Sequence, residues 1–132
     1  MPDYLLDTTE VIDYARGLNE TVKLLRTLFD EGSTLGCCDI VVAEVHAGVR
    51  ARDRAKVDEL LDALRFYSAD RSLAKKAGEY IDEYGRKGVT LAVADALIAA
   101  VAIGHRLTLV TKNQRHYPMP ELMLYVQPGT QR

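Results

Sequence analysis

Two periodicities share this chain. Short, wholly apolar runs stand between longer stretches in which apolar residues return every three to four positions. The first kind predicts buried strands and the second one-sided helices. Tyr4-Leu5-Leu6 predicts a strand closed by Asp7, and Thr8-Thr9-Glu10 opens a helix that runs to Gly17. Val22, Leu25, Leu28 and Phe29 predict a second helix, begun near Asn19 or Glu20 and ended by Gly32. A strand over residues 34–37 comes next, and Asp39 is placed to cap a helix that ends near Gly48 or Val49. Val57, Leu60, Leu61 and Leu64 repeat at i, i+3, i+4 and i+7, the mark of another helix. Residues 65–68 read as a short strand. Asp70 or Ser72 caps a helix with Leu73, Ala77, Ile81 and Tyr84 on one face. An apolar helix follows over about 91–103, stopped by Gly104. Strands are expected over 107–111 and 123–126, separated by a loop with two prolines.

Strands this short and apolar, alternating with helices, belong to a parallel sheet covered on both faces. The expected fold is α/β: a single domain over residues 1–132, with four to five parallel strands flanked by helices on both faces. In such a sheet the ligand site lies beyond the carboxyl ends of the strands. Asp7 ends the first strand, and Thr111-Lys112-Asn113 ends a later one. Both therefore reach the same edge.

Three acids stand in apolar company. Besides Asp7, Glu44 interrupts Ile40-Val41-Val42-Ala43-Glu44-Val45, and Asp95 interrupts Leu91-Ala92-Val93-Ala94-Asp95-Ala96-Leu97-Ile98. An ionised carboxylate is costly there unless it is paired or holds a metal. With no obvious buried Lys or Arg to match them, and no Cys or His in the motifs, hard oxygen ligands for Mg²⁺ or Mn²⁺ are the expectation. Ala92, Ala99 and Ala102 beside Asp95, and Gly48 beyond Glu44, would leave room for an ion or a phosphate. Thr8 and Thr111 add hydroxyls at the strand ends. Each position also has a plainer reading. Asp7 with Glu10 fits a D-x-x-E helix cap, Glu44 could be a half-exposed helix residue, and Asn113 could be turn chemistry. Asp95 is the hardest to explain that way. Asp13, Asp30, Asp53, Asp58 and Asp62 lie among polar neighbours and read as solvated.

Composition changes the picture little. With 132 residues and a net charge of -2, nothing announces nucleic-acid binding by bulk charge, so basic contacts would have to be clustered. Cys37 and Cys38 are adjacent, fit no Cys-x-x-Cys site, and read as small core residues in a reducing compartment. No N-terminal stretch reads as a signal peptide. The longest apolar run, around 89–103, contains Asp95 and is too short to span a bilayer. A cytoplasmic location follows as the expectation.

Four pieces in order are similar to the PIN-domain nucleases, in particular the VapC-type toxins of toxin–antitoxin pairs. They are Leu5-Leu6-Asp7-Thr8-Thr9, then Val42-Ala43-Glu44-Val45-His46-Ala47-Gly48-Val49-Arg50, then Ala94-Asp95-Ala96-Leu97-Ile98-Ala99-Ala100, and Leu109-Val110-Thr111-Lys112-Asn113-Gln114-Arg115-His116-Tyr117. The resemblance implies an endoribonuclease dependent on Mg²⁺ or Mn²⁺. A metal-activated water would cut tRNA or rRNA to leave a 5′-phosphate and a 3′-hydroxyl. Asp7, Glu44 and Asp95 fall on the three family acids. Asn113 falls where a fourth acid often stands, and this chain departs from that version. The resemblance also implies a homodimer and a VapB-type antitoxin as partner. Arg50, Arg52, Arg54 and Lys56, with Lys112, Arg115 and His116, are the basic residues expected to ring the acids for RNA, against the reading of a merely solvated surface. The helix with Tyr80 and Tyr84 is a candidate dimer face, if those rings are exposed. Two other readings compete: a PIN-fold binding protein with little catalysis, favoured only by Asn113, and a response-regulator-like phosphoacceptor domain. The second would want adjacent acids after the first strand, where this chain has Thr8 and Thr9.

Overall fold

The computed structural model describes residues 2–126. Its sheet has five parallel strands in the order β3-β2-β1-β4-β5. These are β1 (Asp3–Leu6), β2 (Thr34–Cys38), β3 (Arg65–Tyr67), β4 (Thr108–Val110) and β5 (Met123–Leu124). Six helices accompany them: α1 (Thr8–Ala15), α2 (Asn19–Asp30), α3 (Asp39–Gly48), α4 (Arg54–Ala63), α5 (Arg71–Arg86) and α6 (Val93–Gly104). Successive side chains of a strand point to opposite faces. Leu5 and Leu6 in β1, and Cys37 and Cys38 in β2, are each no more than 1% exposed, so both faces of the sheet are covered. That is why these strands are apolar throughout rather than alternating.

The chain builds outward from β1 on one side, through β2 to β3, then crosses back to place β4 on the other side of β1. The strand order therefore reverses between β1 and β4. A crevice opens at such a switch point, and Asp7 and Thr111 are the residues that leave these two strands. The Asp7 N–H donates to the Val110 carbonyl at 3.0 Å, which carries the β1–β4 ladder to the mouth of the crevice.

Several expected details take a different physical form. Gly104 does not stop α6; it is the helix's last residue. A Cβ there would lie 2.5 Å from Leu73 Cδ2, so the glycine lets α6 lie close against α5. The stop is Arg106, in the left-handed region at φ 59°. Leu107 N–H bonds the Ala102 carbonyl and Arg106 N–H the Ile103 carbonyl, as in the glycine-ended helices α2 and α5. Ala99 and Ala102 are fully buried, so they permit close packing of α6 and leave no room for an ion. Gly36 in β2 serves the same purpose for a ring: its Cβ would meet Tyr67 Cε2 at 2.4 Å.

Tyr80 and Tyr84 are 3% and 7% exposed, which removes them as an exposed dimer face. They share a helix face with Ala77, and α5 packs that face inward along α6. The side chains of Lys76 and Lys87 lie over the two rings from outside. Cys37 and Cys38 are buried and free, as expected of small core residues. Asp39 opens α3 and also accepts from the Ala69 N–H at 3.1 Å, tying the β2–α3 junction to the chain after β3. Among the described residues, no helix is long and apolar enough to cross a membrane.

Candidate active site at the β1–β4 crevice

Asp7 is 5% exposed, and its carboxylate is held from three sides. Oδ1 accepts from the Thr8 N–H at 2.8 Å, which caps α1. Oδ2 accepts from Thr111 Oγ1 at 2.7 Å, and the Tyr117 hydroxyl stands 3.1 Å away. Thr111 in turn accepts from the Asn113 N–H at 3.0 Å. Asn113 thus meets the site through its main chain, at the start of a short 3-10 turn over Gln114–His116.

Asp95 lies in the first turn of α6, not deep in a helix, where free N–H groups and the helix dipole favour a carboxylate. Its Oδ1 is 3.3 Å from the Tyr117 hydroxyl and its Oδ2 is 3.6 Å from His116 Nδ1. Burial raises its pKa above the ordinary aspartate range, and the charges of Asp7 and Glu44 push the same way. His116 and the Tyr117 hydroxyl offset part of that rise. Glu44, on exposed α3 surface, joins through Thr8, whose Oγ1 donates to Oε1 at 2.6 Å. Asp95 therefore feels the charge of the other two acids, although the three come from the β1–α1 junction, α3 and α6.

They gather without forming a ready cage. Among the described residues, no group of three or more His, Cys, Asp and Glu side chains converges on one ligand point. Asp7 and Asp95 face a common oxygen, that of Tyr117, while Glu44 is held at the rim by Thr8. As donors, two carboxylates suit a hard divalent ion, because Mg²⁺ is ordinarily held by one or two carboxylates, waters and substrate phosphate.

The basic residues divide. Lys112, expected at the rim, has its ammonium committed inward: 3.1 Å from Glu10 Oε2, 3.1 Å from Asp13 Oδ2 and 2.9 Å from Thr21 Oγ1. Glu10 is 1% exposed, so the chain does hold a buried acid with its own lysine. This also leaves the D-x-x-E pattern unclosed, since Glu10 turns to Lys112 and the Asp7 N–H to Val110. Burial raises the Glu10 pKa in spite of the opposing pull of Lys112. Asp13 and Asp53, read as solvated, are instead largely covered and pair with Lys112 and Arg50, whereas Asp58 is exposed as expected and meets His46 at the surface. Arg115 is exposed in the same short turn as His116, two residues before the Tyr117 that faces Asp7 and Asp95. Arg50, Arg52, Arg54 and Lys56 are exposed past the end of α3, and Arg50 is paired to Asp53 at 3.1 Å.

Tyr117 carries no charge, and although it closes the fourth of the matching segments, sequence reasoning assigned it no role. It is 3% exposed, and burial with two carboxylates nearby drives its pKa far upward, so its proton stays on. The one available signal is alternation: Tyr117 and Met119 are buried and the intervening Pro118 exposed, so the loop folds back on the core.

Comparison with known proteins agrees with this geometry. The PIN domain family matches residues 4–122. Ribonuclease VapC19 of Mycobacterium tuberculosis is 32% identical over 119 residues, covering 89% of this chain and 95% of that protein. Ribonuclease VapC10 of the same organism is 32% identical over 117 residues, covering 89% and 87%. The solved VapBC2 complex of Rickettsia felis, bound to a DNA fragment from its promoter, superposes with a TM-score of 0.82 at 26% identity, covering 93% and 97% of the two chains. A five-stranded parallel sheet, acids gathered at the β1–β4 crevice, and similarity along nine-tenths of the chain lead to one assignment: this chain belongs to the PIN domain family, among its VapC-type members.

Proposed function

We propose that the chain is a metal-dependent endoribonuclease, the toxin of a VapBC-type toxin–antitoxin pair. One observation carries the reading: Asp7 and Asp95, from opposite ends of the sequence, face a single buried oxygen at the sheet's switch point, with Glu44 linked in through Thr8. Relatives named as ribonucleases support the activity, and neighbours solved as VapBC complexes support the partner class.

In this reading Asp7 and Asp95 hold Mg²⁺ or Mn²⁺, and Glu44 adds negative charge at the rim. Thr8 and Thr111 fix the carboxylates, and Asn113 shapes the loop beside them. The cation, when bound, lowers the pKa of a water and screens the phosphodiester. Water adds at phosphorus and the bond to the 3′-oxygen breaks, giving a 5′-phosphate and a 3′-hydroxyl. Arg115 is the nearest candidate for a backbone phosphate of tRNA or rRNA. Arg50 and Arg52 would serve a more distant stretch, because α3 carries them away at about 1.5 Å per residue. Lys112 is left out of the rim, its ammonium being engaged. A homodimer acting in the cytoplasm, held in check by a VapB-type antitoxin, completes the proposal.

Controlled expression in a bacterial host tests it. The wild-type chain should arrest growth, and Asp7→Asn and Asp95→Asn should not, at equal protein levels. Arrest that persists in both variants would contradict the assignment of these acids.

A further inference from the structure

The Tyr117 hydroxyl has one proton and faces two carboxylates. It lies 3.1 Å from Asp7 Oδ2 and 3.3 Å from Asp95 Oδ1. Asp7 is provided for without it, by the Thr8 N–H on Oδ1 and the Thr111 hydroxyl on Oδ2. Asp95 is not. Its other neighbour, His116 Nδ1, stands at 3.6 Å, outside good hydrogen-bond range. Asp95 is also the more exposed of the two acids, half-buried where Asp7 is buried. Like charge across the crevice drives it outward, toward water.

The geometry points to Tyr117 as a positioning residue: its hydroxyl holds the Asp95 carboxylate facing Asp7 across the width of one oxygen atom, so that a divalent cation meets a preset pair of hard ligands. This rests on the reading of Asp7 and Asp95 as the metal-holding pair. Phenylalanine would fill the same volume, which separates the hydroxyl from the ring. The ring itself is locked, 3% exposed, with Met119 of the same loop also buried. A rigid donor on a packed ring suits the task better than a solvent-facing one, because groups that orient metal ligands act by fixing direction.

The test is Mn²⁺ binding by titration calorimetry on the full chain, with the thermal midpoint of each metal-free protein. The wild type should bind and Asp7→Asn should not. Tyr117→Phe should bind about tenfold more weakly, with a midpoint within about 4 °C of wild type. Tyr84→Phe is the control for a loosened loop, since the Tyr84 hydroxyl bonds the Pro118 carbonyl at 3.4 Å; it should leave Mn²⁺ affinity unchanged. Equal or tighter binding by Tyr117→Phe, or an equal loss in Tyr84→Phe, overturns the positioning role and leaves the metal reading standing. A wild-type chain that binds no Mn²⁺ overturns both.

Discussion

Replacing Lys112 with methionine keeps an unbranched stem and removes the ammonium shared by Glu10, Asp13 and Thr21. Glu10 is 1% exposed, so its carboxylate would lose its cation inside the fold. Removing one partner of a buried ion pair costs about 3–5 kcal/mol. Lys112 is 41% exposed and water reaches its end, which lowers the expected loss to about 2–3 kcal/mol. For a chain of 132 residues that is a drop of roughly 6–12 °C in thermal midpoint. The loss should depend on pH with a definite sign. Burial already raises the folded pKa of Glu10 above 4.5, and removing Lys112 takes away the main force opposing that rise. Between the raised folded value and 4.5, the folded state holds a proton that the unfolded state does not, so stability falls as pH rises through that window. Lowering the pH should therefore narrow the gap between Lys112→Met and wild type. Urea unfolding of both proteins between about pH 5 and 8 measures it. A gap below about 1 kcal/mol, or one that widens in acid, would refute the buried-lock account.

Three further outcomes are expected. In the metal-free protein the Asp95 carboxyl, followed by carbon NMR, should titrate above the ordinary aspartate range, and Asp7→Asn should lower its midpoint by removing the facing charge; an unmoved midpoint would mean the two acids share no field. The sign for cation binding follows, since affinity is lost as pH falls through that raised value. Cys37 and Cys38, their thiols pushed up to about 11 and about 12 by burial, should resist iodoacetamide at mildly alkaline pH in the folded chain and react in urea; labelling of the native protein at the rate of a free thiol would contradict their place in the sheet. Arg106→Gly should stabilise by about 0.5–1 kcal/mol, relieving a left-handed residue at φ 59°, and a loss measured by thermal unfolding would show that the arginine side chain matters more than its backbone.

Much of this was legible in the sequence. Apolar runs too short for helices gave the strands, and helices between them forced a parallel sheet. Acids at strand ends and inside apolar runs marked the crevice, because burial makes such a residue expensive without a purpose. What stayed hidden depends on where side chains turn after the backbone is fixed. Lys112 looks like a rim cation from its polar loop, yet its long stem reaches back to Glu10 and Asp13, acids roughly a hundred residues away. Tyr80 and Tyr84 look available on a helix rich in charge, and only the packing against α6 decides which face is inside. Gly104 reads as a stop, whereas the distance to Leu73 makes it a contact point. Tyr117 needed the full path of the loop after β4, since nothing local to it points to two carboxylates.

In the proposed function Asp7 and Asp95 would hold the cation that activates the water cutting RNA. The most direct measurement is incubation of the purified chain and of Asp95→Asn with total tRNA and rRNA, in Mg²⁺ or Mn²⁺ and then in EDTA, with the new RNA ends mapped. Discrete cuts bearing 5′-phosphates, absent with EDTA and in the variant, are the result expected. Cutting that survives both EDTA and Asp95→Asn would contradict it.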